Sequence, residues 1–67
     1  MKAAKLETSD RLQRVAALLK TGRWLSTMDI IKAANVCAVN SIAAELRANG
    51  LEIECKYLQG AYRYRLL

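Results

Sequence analysis

Histidine is missing from all 67 residues of this sequence. Its absence removes the commonest general base and the commonest metal ligand. Cysteine occurs twice, at Cys37 and Cys55. Two cysteines are too few for a disulfide scaffold, and their spacing fits no metal motif. Both read as small core or half-buried residues. No run approaches the ~18 apolar residues that a membrane-spanning helix needs. The opening MKAAKLETSD lacks an apolar stretch, so no secretory signal is expected. With no nucleophile–base pair, no phosphate-cradling loop and too little chain to wall a pocket, catalysis is not expected, nor is a cofactor, a metal or a small-molecule substrate.

What the chain does have is 54% hydrophobic residues, enough for a compact globule and too many for a disordered segment. A chain of this length makes one domain with a marginal core, burying only ~60% of its unfolded surface. The net charge of +5 suits an anionic partner. That charge is uneven: residues 1–25 carry net +4, residues 26–50 net zero and residues 51–67 net +1. A cytoplasmic, nucleoid-associated protein is the expectation.

Hydrophobic spacing predicts the elements. Residues 1–8 read as a flexible arm carrying Lys2 and Lys5, and residues 9–67 as the folded domain. Thr8, Ser9 and Asp10 are cap residues. Leu12, Val15, Ala16 and Leu19 then form one apolar face of a first helix over about 9–21, ended by Gly22. Arg23-Trp24-Leu25 reads as a short strand, with Trp24 in the core. Ser26 and Asp29 form a capping box for a short second helix, which ends near Asn35. Its broad apolar arc, from Met28 to Ala34, implies packing on more than one side. Val39, Ile42, Ala43 and Leu46 mark a third helix over about 38–48, closed by Asn49-Gly50.

The segment Leu51–Tyr57 then alternates with period two, as does Tyr62–Leu66, with Gln59-Gly60 between them as a two-residue turn. That turn fixes the register, because opposed residues must have numbers summing to 119. Tyr57–Tyr62, Cys55–Tyr64 and Ile53–Leu66 then share one face, and Lys56–Arg63 and Glu54–Arg65 the other. A slip of one residue would mix the two faces. Tyr62 and Tyr64 are therefore expected to pack on the helices, with Tyr57 and Tyr62 overhanging near the turn.

The order helix, short strand, helix, tight turn, helix, hairpin contains a helix-turn-helix followed by a wing. The residues RWLSTMDIIKAANVCAVNSIAAELRANGLEIECKYLQGAYRYRL resemble the winged helix-turn-helix domains of small prokaryotic and phage DNA-binding proteins. The run IAAELRANGLEIECKYLQGAYRYRL resembles them most closely. The resemblance covers residues 9–67 and implies an α+β fold of three helices, a short strand before the second helix and a C-terminal β-hairpin wing. It also implies a third helix in the major groove of double-stranded DNA and a wing on the backbone. On that reading Asn40 and Ser41 meet bases or phosphates, Ala38 and Ala44 approach a thymine methyl, and Arg47 reaches a phosphate. Lys56, Gln59, Arg63 and Arg65 of the wing meet phosphates, giving salt-dependent affinity. A transcriptional regulator or prophage regulatory factor follows, acting as a homodimer or in tandem. One departure is that residues 35–50 carry only Glu45 and Arg47 as charges. A protein-contact or dimerisation module, and an RNA or single-strand binder, stand as the alternatives.

Overall fold

The computed structural model describes residues 5–67. A 3-10 turn at Leu6–Thr8 leads into α1 (Asp10–Leu19), β1 (Leu25–Ser26), α2 (Thr27–Ala34), α3 (Val39–Ala48), β2 (Ile53–Leu58) and β3 (Ala61–Leu66). This is the α+β topology expected from the sequence: three helices, a short strand before the second, and a C-terminal antiparallel hairpin. Such an architecture is consistent with a winged-helix fold. Residues 1–4 of the expected arm lie outside the described residues, whereas Leu6 is half-buried against the core and its N–H donates to Asn49 Oδ1 at 2.9 Å.

Each helix begins and ends for a local reason. Ser9 caps α1 by accepting from the Leu12 N–H, and Gly22 turns the chain away with φ +77°. The capping box of α2 is complete. Ser26 Oγ accepts from the Asp29 N–H, and Asp29 Oδ2 accepts from the Ser26 N–H, both at 3.1 Å. Asn35 closes α2 in the left-handed conformation, and α3 starts from Ala38, also left-handed and without a side-chain cap. The turn of the helix-turn-helix thus holds two positive-φ residues within four positions.

The three helices bury one stripe each. Leu12, Val15, Ala16 and Leu19 of α1 meet Ile30 and Ala34 of α2 and Val39, Ile42, Ala43 and Leu46 of α3. Each fully buried aliphatic side chain contributes roughly 1.5–3 kcal/mol of transfer free energy. The apolar arc of α2 is covered on one side only. Ile30 and Ala34 are buried and Ile31 is half-buried, but Met28 and Ala33 face solvent. With so few elements, no other described element covers the outer side of α2.

The sheet has strand order β1-β3-β2 and is antiparallel throughout. The hairpin register is the expected one, from Ile53↔Leu66 to Leu58↔Ala61. Gln59 and Gly60 both have positive φ, which is what a type I′ turn demands. Ile53 and Tyr64 close the core from the sheet side. Beyond them the hairpin runs past the helices, so Cys55, Tyr57 and Tyr62 are exposed although they lie on the core side of the sheet. The expectation of buried or half-buried cysteines therefore fails at both positions: Cys55 is on the overhang and Cys37 is exposed in the turn between α2 and α3.

Candidate nucleic-acid interface

The residues expected to contact nucleic acid fall into two groups on different elements. The first is the exposed face of α3. Val39, Ile42, Ala43 and Leu46 turn inward, so helical spacing turns Asn40, Ser41 and Ala44 outward, and all three are exposed. No charged side chain lies among them, and no hydrogen bond ties the Asn40 or Ser41 side chains to other described residues. Ala38, at the helix start, is also exposed. The flank of α3 is occupied: Glu45 accepts a two-pronged ion pair from Arg11 of α1, at 3.0 and 3.2 Å. Arg47 donates through Nε and Nη2 to the Ile53 carbonyl, at 3.1 and 2.9 Å. Its guanidinium fastens the end of α3 to the start of the hairpin.

The second group lies on the face of the sheet away from the helices. Because Tyr64 and Ile53 face the core, alternation turns Glu54, Lys56, Arg63 and Arg65 to the opposite side. Arg63 sits on the central strand, between Ser26 of β1 and Lys56 of β2. It is half-buried there rather than at the hairpin tip. Its Nε is buried with no hydrogen-bond partner among the described residues. Asp29, whose carboxylate takes part in the capping box, lies close enough for an electrostatic attraction. Arg65 is paired with Glu54, its Nε donating to Glu54 Oε1 at 3.0 Å. Gln59, at the tip, is exposed with φ +52°.

Trp24 belongs to this second group and not to the core. Leu25 pairs with Tyr64 and is turned toward the helices, so the preceding residue is turned outward. The half-buried indole lies under the Lys56 ammonium, 4.1 Å from the ring centroid, and the Arg65 guanidinium, at 4.6 Å. Cation–π attraction of this kind is worth ~0.5–1 kcal/mol at an exposed site. It fixes two long, mobile cations at defined positions on the sheet. Sequence reading missed this, because the inward or outward sense of Trp24 depends on the pairing of β1 with β3. The alternation of YRYRL gives the facing of β3, but not which of two adjacent residues in a two-residue strand joins it.

The arrangement offers three cations on one sheet face, one of them, Arg63, without a hydrogen bond among the described residues, and a charge-free helix face on another element. No group of three or more metal-ligating side chains occurs among the described residues, and no helix there is long and apolar enough to cross a membrane. No family model matches the chain, and neither a curated protein nor a solved structure proves similar to it.

Proposed function

We propose that this protein is a small, non-catalytic double-stranded DNA-binding regulator of the winged-helix kind, with α3 toward the major groove and the sheet's cationic face on the phosphate backbone. The observation that carries the reading is the arrangement of Lys56, Arg63 and Arg65 on one face of the sheet, with Arg63 making no hydrogen bond or close ion pair among the described residues. Arg63 Nε is closed to solvent, so a phosphate oxygen would pair instead with the terminal guanidinium nitrogens, which make no hydrogen bond to the described residues, and it brings a matching charge. Asn40, Ser41 and Ala44 are short enough to let α3 approach base edges, with Asn40 suited to adenine. Gln59 reaches the backbone from the hairpin tip. Arg47 serves first as a structural tie and supplies a phosphate contact only through its remaining nitrogen.

A second reading rests on one specific observation, the absence of charge across the exposed α3 face from Asn40 to Ala44. Such a surface suits contact with another protein. Salt dependence separates the two. The full chain is titrated into mixed-sequence duplex DNA at several salt concentrations, following Trp24 fluorescence. DNA binding is expected to weaken linearly in log salt with a slope of about −2 to −3, from two or three neutralised phosphates. No binding at low salt removes the DNA reading and leaves the protein-contact reading.

A further inference from the structure

The long strand β2 is an edge of the sheet among the described residues, since β3 pairs it on one side and no described strand pairs it on the other. The phase of its hydrogen bonding is fixed by the Leu67 N–H, which donates to the Glu52 carbonyl at 2.9 Å and extends the same register by one pair. Antiparallel ladders alternate between bonded and non-bonded pairs. Glu52, Glu54, Lys56 and Leu58 therefore bond to β3, while Ile53, Cys55 and Tyr57 turn their N–H and C=O groups to the open edge. Arg47 agrees with this phase: it reaches the Ile53 carbonyl from outside the hairpin. The edge is also flanked by uncovered apolar surface, with Tyr57 64% and Tyr62 56% exposed and their rings 4.9 Å apart.

We infer that this edge joins a second copy of the same chain, β2 to β2 antiparallel, about a two-fold axis at Cys55. Two constraints select that register. Only residues with outward backbone groups can form the bonded pairs, so paired numbers must sum to an even value. Among even sums, 110 alone sets Glu54 of each copy against Lys56 of the other. A sum of 108 faces Glu52 with Lys56 but sets Glu54 on Glu54 at the axis, and a sum of 112 sets Lys56 on Lys56, so 110 is the register without a like-charge pair at its centre. The selected register pairs Ile53 with Tyr57 and Cys55 with Cys55 as bonded pairs, and Glu54 with Lys56 twice as non-bonded pairs, in which side chains approach most closely. Glu54 has the capacity: Arg65 uses Oε1, and Oε2 has no partner among the described residues. The Ile53 carbonyl already accepts from Arg47 Nε and Nη2, so one of these two donors gives way to the Tyr57 N–H of the other copy when the edge is joined. The exposed Tyr57 ring then covers Ile53 and Cys55 across the junction. The product is a six-stranded sheet. Because the two-fold axis is perpendicular to it, the cationic faces of both copies lie on one side. The inference stands whether or not the partner of that face is DNA.

The test is sedimentation velocity on the full chain, with circular dichroism to verify folding of every variant. Wild type should sediment as a dimer with rising concentration. K56E and E54K each turn two attractive cross-pairs into repulsive ones and should weaken the dimer about tenfold or more. Mixed in equal amounts they should form a heterodimer, because each supplies the charge that the other lacks. A bis-maleimide should cross-link C37S efficiently and C55S hardly at all. A wild type monomeric to millimolar concentration, a K56E protein that dimerises like wild type, or a mixture without a heterodimer overturns the proposal.

Discussion

Tyr64 and Arg63 are neighbours on β3 with opposite duties. Tyr64 is 5% exposed and seals the core from the sheet side, whereas Arg63 faces away from the helices. Tyr64→Ala removes a large buried ring and should cost about 3–5 kcal/mol, enough to unfold much of so small a domain, while Tyr64→Phe should be nearly neutral. Arg63→Ala should change stability by less than about 1 kcal/mol and reduce the salt slope of duplex binding by about one phosphate contact. Thermal melts and salt titrations of these variants check both statements. Unchanged binding by Arg63→Ala would take the sheet face out of the interface. Burial, reinforced by Cys55, also raises the Tyr64 phenol above its ordinary value near 10. A raised folded value means that its stabilising share is intact below pH 10 and is lost as pH climbs through the folded value.

At the scale of elements, the capping box of α2 and the two-residue hairpin turn were legible because each depends on residues within four positions of one another. The box carries a pH signature. The Asp29 carboxyl is lowered below 3.8, first by the hydrogen bond from the Ser26 backbone, next by that from the Ser26 side chain. A lowered folded value gives stability that is fully present above 3.8 and fades as pH falls below it. Melting temperatures recorded from pH 5 to pH 2 should therefore fall less steeply for Asp29→Asn than for wild type. Equal acid limbs would show that the box contributes nothing through the carboxylate charge. The hairpin register was equally legible, since the turn and the alternation of YRYRL agree on one solution. The facing of Trp24 was not. A large apolar residue next to Leu25 reads as core, but β1 is only two residues long and its sense is set by Tyr64 and Arg63, almost 40 positions away.

For the whole molecule, the helices cover one face of the sheet near Ile53 and Tyr64 and leave the rest of the hairpin projecting. A domain with so few buried side chains gains much from any surface that covers Tyr57 and Tyr62. If β2 joins two copies, the melting temperature should rise with protein concentration over a hundredfold dilution series, because association binds only the folded form. K56E should show a flatter dependence. The sequence by itself determined the order of the elements, the buried stripes of α1 and α3, the caps of α1 and α2 and the pairing within the hairpin, because these follow from periodicity and from contacts between near neighbours in the chain. Only the tertiary structure decided that Trp24 holds Lys56 and Arg65, that Arg47 ties α3 to Ile53, and that Cys55 lies uncovered beside an open edge. Alternation tells which side of a sheet a residue faces, but whether anything lies on that side depends on how far the helices extend over it.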